Sequence, residues 1–249
     1  DSLFSEVKVG RYTLSNRMVM ATMTRSRSDD AGVPSDLVTT YYFQRVSAGL
    51  IISEGDPVAM GKGYVRTPGI ETTDQVAAWK KVTSAVHARG GRIFMQLMHC
   101  GRVSHPSLLP NGAQPQAPSA IKASGQTYTA SGLQDFVTPH ALTVSEITHV
   151  VAEYRTAARL AIEAGFEGVE LHAASGYLPE QFLSTGSNQR DDQYGCSAEN
   201  RTRFVLEILA TRASPAAHKG HGALLQPDRS PDSADLASAD SRVDVWRVT

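Results

Sequence analysis

The sequence predicts an α/β fold built on a parallel (β/α)8 barrel, of which four strand–helix units can be read. Short apolar strands alternate strictly with amphipathic helices over residues 18–209. Such alternation implies a parallel sheet with right-handed crossovers. An open, doubly wound sheet is the alternative, but no glycine-rich turn that could bind a nucleotide follows the first strand. We therefore favour the barrel.

The element order starts with a hairpin and two strand–helix units. Residues 6–15 alternate apolar and polar side chains on both sides of Gly10, which predicts a β-hairpin. Three apolar runs are the first predicted strands, 18–21, 50–54 and 92–97. Two helices with apolar residues at three- and four-residue spacing separate these strands, 35–48 and 73–88.

A long loop precedes the fourth unit. Residues 100–142 are rich in Pro, Gly, Ser and Ala, and loops of this length are often functional. Thr143 and Glu146 form a capping-box signature at the start of an amphipathic helix, which Gly165 ends. The fourth strand is predicted over 168–172 and the last helix over 198–209.

The composition excludes several classes of protein. A net charge of −1 without a long charged run gives no electrostatic reason to expect nucleic acid or an anionic membrane as a partner. No apolar run approaches the roughly 20 residues that a membrane helix needs. Two cysteines, Cys100 and Cys196, cannot form a disulfide framework, and the N-terminus does not read as a signal peptide. We therefore expect a cytoplasmic protein.

Polar groups follow each strand at its C-terminal end, where parallel barrels carry their chemistry. His172 and Tyr177 are five residues apart across a turn that contains Gly176. An imidazole can hold a carbonyl or a developing oxyanion, and a phenol can deliver a proton. A histidine that closes a strand is often structural, so this pair alone does not assign a reaction. No Cys/His spacing predicts a metal site, and no Gly-x-Ser-x-Gly motif predicts a serine nucleophile.

Longer motifs are more specific than this pair. They occur in the order LSNRM (14–18), TRSR (24–27), SAGLIISEG (47–55), QLMHCGR (96–102), SNQRDDQYG (187–195) and ENR (199–201). The set resembles the old yellow enzyme family of FMN-dependent NADPH ene-reductases, in its pentaerythritol tetranitrate/N-ethylmaleimide reductase-like branch. The resemblance covers residues 3–209, and it implies a TIM barrel of the flavin oxidoreductase type.

The resemblance implies a flavin-binding set at the strand ends. Thr24 matches the threonine that hydrogen-bonds the flavin near its reactive nitrogen, and the backbone of Thr22 and Met23 would lie against the isoalloxazine ring. Gly55 matches the small residue after the second strand. Gln96 matches the glutamine at the pyrimidine end of the flavin. The implied cofactors are FMN and NADPH, or NADH in its place.

The resemblance also implies a substrate site. His172, which borders the cofactor as well, would polarise the activating carbonyl or nitro group, and Tyr177 would protonate the alkene after hydride transfer from the reduced flavin. Tyr64 matches a tyrosine of the substrate pocket. Four positions depart from the family pattern. Thr22 stands where the family usually has Pro, Cys196 stands where it has a second Gly, and the other two belong to the substrate site. Ser175 stands where the family has a second anchoring His or Asn, and Met98 stands where it usually has Trp. The substrates would be small electrophilic alkenes or nitro compounds.

The chain departs most from the family after residue 212. The family has eight strand–helix units, whereas four are readable here, and residues 213–249 are rich in Ala, Ser, Pro and Asp. We therefore predict a partial FMN-binding barrel over 1–212 and a poorly ordered tail outside the family over 213–249, with at most a short strand at 243–248.

Two alternatives to a flavin ene-reductase stay open. One is a truncated, flavin-free half-barrel without activity, which could self-associate through its open edges. The other is a flavin-free lyase that uses His172 and Tyr177.

Overall fold

The computed structural model describes residues 2–210 and 222–226, and the 213–249 segment is otherwise outside the described residues. The strands are β1 (Val7–Val9), β2 (Tyr12–Leu14), β3 (Val19–Met20), β4 (Leu50–Pro57), β5 (Ile93–Met98), β6 (Gln116–Ala117), β7 (Gln126–Thr129), β8 (Gly132–Asp135), β9 (His140–Ala141), β10 (Gly168–His172) and β11 (Gly222–Gln226). The α-helices are α1 (Asp36–Phe43), α2 (Thr73–His87), α3 (Val144–Glu163), α4 (Leu178–Leu183) and α5 (Ala198–Ala210).

One parallel sheet organises the molecule, with the strand order β11-β10-β5-β4-β3. Each strand lies beside the next sheet strand along the chain. A doubly wound sheet would instead reverse its order at a switch point. The predicted parallel α/β barrel architecture is therefore confirmed, and the open-sheet alternative is wrong.

The helices cover one face of this sheet. Alternate residues of the strands pack with the helices in a large cluster, the helix-side cluster, which includes Ile51, Ile93, Met95, Leu97, Val169, Leu171, Trp79, Val82, Ile147, Val150, Tyr154 and Phe204. The other strand residues point to the barrel interior. There Leu50, Ile52 and Phe94 pack against Leu14 of the hairpin β1–β2, which closes the N-terminal end of the sheet. The predicted site residues lie at the opposite, C-terminal end of the sheet.

Local sequence signals fix the long helices. The predicted capping box of α3 is present, because Thr143 accepts from the backbone N–H of Glu146 while the Glu146 side chain accepts from that of Thr143. Thr72 and Gln75 form a second capping box at α2. Helix α1 is shorter than the predicted 35–48, because the chain leaves the helix after Phe43 through a turn in which Arg45 N–H donates to Tyr42.

Two segments contain more structure than the sequence predicted. The long loop includes the parallel pair β6–β9 and the antiparallel hairpin β7–β8. Beyond residue 212 the structure contains a strand that the sequence analysis did not predict, because β11 pairs in parallel with β10, from Gly168 opposite Gly222 to His172 opposite Gln226. The short apolar run at 223–225 gives this segment strand-forming residues despite its polar surroundings. The predicted short strand at 243–248 lies outside the described residues.

Candidate active site

The strand register aligns one residue of β4, one of β5 and one of β10 side by side across the sheet. Gly55 of β4 and Glu170 of β10 are both Cα partners of Gln96, which lies between them on β5. A register shift between Ile52 and Gly55 makes this alignment. A β-bulge of this kind re-aims the residues that follow it. The C-terminal ends of β4, β5 and β10 therefore form one continuous floor.

Gln96 is the centre of this floor. Its side chain is buried, and its Nε2 donates to Glu170 Oε1 at 2.6 Å and to Thr22 Oγ1 at 3.3 Å. A Cβ atom at Gly55 would lie 3.1 Å from Gln96 Oε1 and 2.9 Å from Met98 Sδ. A larger residue at Gly55 would thus displace the side chains of Gln96 and Met98. The glycine therefore leaves space above this part of the floor.

Four of the predicted substrate residues meet beside the floor, namely His172, Tyr177, Tyr64 and Met98. The rings of His172 and Tyr177 are edge-to-face, with centroids 4.7 Å apart. The hydroxyl oxygens of Tyr177 and Tyr64 are 2.5 Å apart, which joins two phenols that are 113 residues apart in the chain. Met98 and Cys100 pack against Tyr177 and bury it. Tyrosine is protonated at neutral pH at its ordinary pKa of 10.0, and burial raises the pKa of both tyrosines further.

Burial also determines the charge of His172. Desolvation lowers its pKa to about 4, so the imidazole is neutral at neutral pH. Its Nδ1 accepts a long hydrogen bond of 3.4 Å from the backbone N–H of Ala174. This bond assigns the remaining ring proton to Nε2. The imidazole can therefore offer one N–H donor to a substrate oxygen.

The turn after β10 is held by helix α4. Tyr177 is the N-cap residue of α4, and Leu178 N–H donates to the His99 carbonyl at 2.8 Å. Gln181 Nε2 donates to the carbonyls of Cys100 and Gly176 at 3.0 and 2.7 Å. These bonds fix the Tyr177 backbone to the end of β5.

The remaining predicted residues lie at the rim. Met23, half of whose surface is exposed, and Thr24 follow β3 on an open segment. Ser175 is also exposed, on a left-handed backbone with φ of +60°. The structure therefore does not place Ser175 in the buried His172–Tyr177 cluster.

Sequence reasoning missed two residues of this site. Glu170 alternates with His172 along a buried strand, and an acid at such a position was the signal that could have identified it. Gln181 carried no such signal, because its partners are carbonyls that only the folded chain brings near. His99, directly after β5, has a structural part, because its Nε2 lies 3.2 Å from Gln116 Oε1 and its Nδ1 accepts from Gly101 N–H.

The geometry fits a flat heteroaromatic ring with polar edges. The exposed segment 21–24 offers an apolar side chain and hydroxyl groups, Gly55 leaves room, and the Gln96 carboxamide supplies a polar edge. No group of three or more potential metal ligands occurs in the described ranges. Within residues 2–210 and 222–226, the longest helices are too polar to cross a bilayer.

Comparison with known proteins gives one family. Residues 2–216 match the model of the NADH:flavin oxidoreductase / NADH oxidase family. A protein of Leishmania infantum named "Probable flavin mononucleotide-dependent alkene reductase" is 44% identical over 215 residues, which cover 84% of this chain and 59% of the relative.

Solved structures agree with this match. Morphinone reductase in complex with tetrahydroNAD is 49% identical, with a TM-score of 0.84 over 90% of this chain and 64% of that one. The old yellow enzyme homologue from Zymomonas mobilis is 40% identical, with a TM-score of 0.86 over 90% of this chain and 63% of that one. The chain thus spans about three fifths of the length of the relatives it matches.

Proposed function

The chain belongs to the NADH:flavin oxidoreductase / NADH oxidase family, and from this premise we propose that it is an FMN-dependent, NAD(P)H-linked reductase of activated carbon–carbon double bonds. The predicted resemblance to old yellow enzymes is confirmed, as are FMN and a nicotinamide as the cofactors of the family. The observation that carries the proposal is the neutral His172 beside the protonated Tyr177, next to the floor of Gln96 and Gly55. Nitro compounds are the second substrate class.

We assign the flavin ring to the floor and rim of the site. Thr22, Met23 and Thr24 would contact its face and edge, Gly55 would leave space for it, and Gln96 would bind its pyrimidine end. When bound, FMN supplies the hydride chemistry, which no side chain can provide. The protein orients the ring and keeps water from the reacting face.

The substrate residues act as donors. The Nε2–H of His172 would hydrogen-bond the carbonyl or nitro oxygen of the substrate and withdraw electron density from the alkene. The Tyr177 hydroxyl would then donate its proton to the α-carbon. Tyr64, in contact with that hydroxyl and nearer to solvent, can return a proton to Tyr177. Ser175 would be a short, peripheral second donor, and Met98 would line the pocket.

Flavin binding is the first test. The purified chain is titrated with FMN, and binding is followed by quenching of flavin fluorescence. We expect saturable quenching and a perturbed flavin absorption spectrum. Absence of binding to the folded chain would instead favour the flavin-free half-barrel.

The Tyr177→Phe variant tests the mechanism. We expect reduction of 2-cyclohexenone by the FMN-loaded protein to slow by about 10²–10⁴, the usual contribution of a positioned acid, while reduction by NADPH stays unchanged. Stopped-flow absorbance separates the two half-reactions. Tyr128→Phe is the matched control, because Tyr128 is exposed on hairpin β7–β8. An equal loss in both half-reactions, together with a lower melting temperature, would show that Tyr177 is only a packing residue.

A further inference from the structure

Glu170 is a buried acid that the proposed reaction does not use. It lies on β10 between Val169 and Leu171, both of which pack into the helix-side cluster. Because side chains alternate along a strand, Glu170 points to the barrel interior, where Gln96 is its register partner. Only 8% of Glu170 is exposed.

The bond between Glu170 and Gln96 distinguishes the two ends of the Gln96 carboxamide. An ionised carboxylate only accepts hydrogen bonds, so Glu170 selects the amino end of the amide, which donates to it at 2.6 Å. Thr22 Oγ1 accepts from the same nitrogen at 3.3 Å. The carbonyl oxygen is then turned toward Gly55, 3.1 Å from the point that a Cβ atom there would occupy.

We infer that Glu170 is a positioning residue that fixes the Gln96 carboxamide with its carbonyl oxygen toward the ring-binding space beside Gly55. This inference rests on the proposed flavin function. Glu170 and Gln96 together would thereby select a ligand whose ring edge donates an N–H to the Gln96 carbonyl oxygen. In an oxidised isoalloxazine this group is the imide N3–H, so we expect Glu170 to set a preference for flavins that carry it.

Electrostatics make this positioning dependent on pH. Burial raises the pKa of Glu170 to about 7, and its hydrogen bond from Gln96 opposes the rise. Once protonated, Glu170 can donate to the Gln96 oxygen, and it no longer selects the amino end of the amide. Glu170 is therefore expected to position Gln96 fully only above about pH 7.

Among the residues that the structure describes, no neighbouring charged group takes the place of Glu170 beside Gln96. On the same strand His172 is neutral, since its pKa is about 4. On β4, Glu54 is paired with Arg25 and Asp56 accepts from Ser53. The sequences of β5 and β11 contain no titratable residue. The charged residues of α3 lie beyond the opposite face of the sheet, and the β1–β2 hairpin contacts the far end of the strands, where Tyr12 donates to the Glu167 carbonyl.

The first experiment compares riboflavin with 3-methylriboflavin, which lacks the imide N–H and, like riboflavin, has no titrating phosphate. At pH 8 we expect the wild-type chain to bind riboflavin about tenfold more tightly, the effect of one hydrogen bond. In Glu170→Gln the ratio of riboflavin to 3-methylriboflavin affinity should fall toward one, because a glutamine side chain can hydrogen-bond with either the amino or the carbonyl end of the Gln96 amide. The control is Glu167→Gln, an equally buried acid at the other end of the strand, which should retain the preference. A full preference in Glu170→Gln would overturn the inference.

The second experiment needs no flavin and separates this inference from the proposed function. The side-chain NH₂ resonances of Gln96 are followed by NMR from about pH 5 to pH 9. We expect a titration with a midpoint near pH 7 in the wild-type chain and in Glu167→Gln, and none in Glu170→Gln. If neither flavin binds, the proposed function fails while this titration still reports on Glu170. Resonances that do not change with pH in the wild-type chain would overturn the Glu170 inference.

Discussion

Burial shifts the pKa of each hydrogen-bond donor of the site. A solvated imidazole would be charged in part of the physiological range, whereas His172 is neutral because desolvation lowers its pKa to about 4. The same desolvation raises the pKa of Tyr64 and Tyr177 above the ordinary value of 10.0, and their hydroxyl oxygens are 2.5 Å apart. A neutral N–H donor beside a protonated phenol suits the reduction of a carbonyl-activated alkene, since neither group adds a charge before the reaction.

Ser175 allows the second anchoring position to be tested separately from the backbone. Its φ of +60° is unfavourable for serine but tolerated by asparagine and free of strain for glycine. We expect Ser175→Asn and Ser175→Gly both to stabilise the fold, by about 0.5–1 kcal/mol, in urea unfolding. Only Ser175→Asn supplies a longer donor, so only this variant should raise the rate of enone reduction, up to about tenfold. Equal rates in the two variants would exclude Ser175 as an anchoring position.

At the scale of elements, short hydrogen-bonded connections hold the C-terminal ends of the strands. Helix α4 carries Tyr177 at its N-cap and is tied to the end of β5 through Gln181 and Leu178. The register shift in β4 brings Gly55 opposite Gln96. The long helices, in contrast, contribute to stability from the far side of the sheet.

The capping box of α3 tests whether the long helices contribute to stability without affecting the flavin site. Thr143→Ala should lower the free energy of unfolding by about 1 kcal/mol without changing flavin affinity, because the hydrogen bonds of the cap join Thr143 and Glu146, neither of which belongs to the flavin floor. Urea unfolding at neutral pH measures the change. Thr148→Ala is the control, since Thr148 lies within the same helix and is exposed.

The contribution of the α3 capping box to stability should decrease at acidic pH. Hydrogen bonds from Thr143, and then from His140, lower the pKa of Glu146 to about 2, below the ordinary value of 4.5. The cap therefore contributes fully above pH 4.5 and is lost as the pH falls toward about 2. The difference in the free energy of unfolding between wild type and Thr143→Ala should become smaller as the pH falls from 4.5 toward about 2. A constant difference would mean that Glu146 does not take part in the cap.

At the scale of the whole molecule, one edge of the sheet has no further strand paired with it among the described residues. Strand β3 is the last strand of the order β11-β10-β5-β4-β3 among the described residues, and Val19 on it is 36% exposed. Unpaired strand edges with apolar side chains favour pairing with another chain. Self-association through this edge therefore remains our proposal for the chain as it stands.

A charge on the edge tests this proposal. We expect the wild-type chain to associate as its concentration rises, and Val19→Lys to reduce the association, because an edge lysine opposes strand pairing. Multi-angle light scattering gives the mass. Leu206→Lys is the control, because Leu206 is similarly exposed but lies on helix α5. A wild-type monomer at every concentration, with cooperative unfolding, would contradict the proposal.

The sequence by itself determined the alternation of strands and helices, the capping boxes and the residues at each strand end. These features depend on contacts within a few residues, so the periodicity and the caps are visible in the chain. Ordered motifs in the same chain pointed to the flavin family, which the family match confirmed.

Only the tertiary structure decided which of these residues meet. The hydrogen bond between Gln96 and Glu170, the contact of Tyr64 with Tyr177 and the pairing of β11 with β10 all join residues distant in sequence. Burial, which sets the protonation of His172 and Glu170, is likewise a property of the packed sheet. Register and desolvation arise from long-range packing, and no local pattern in the sequence encodes them.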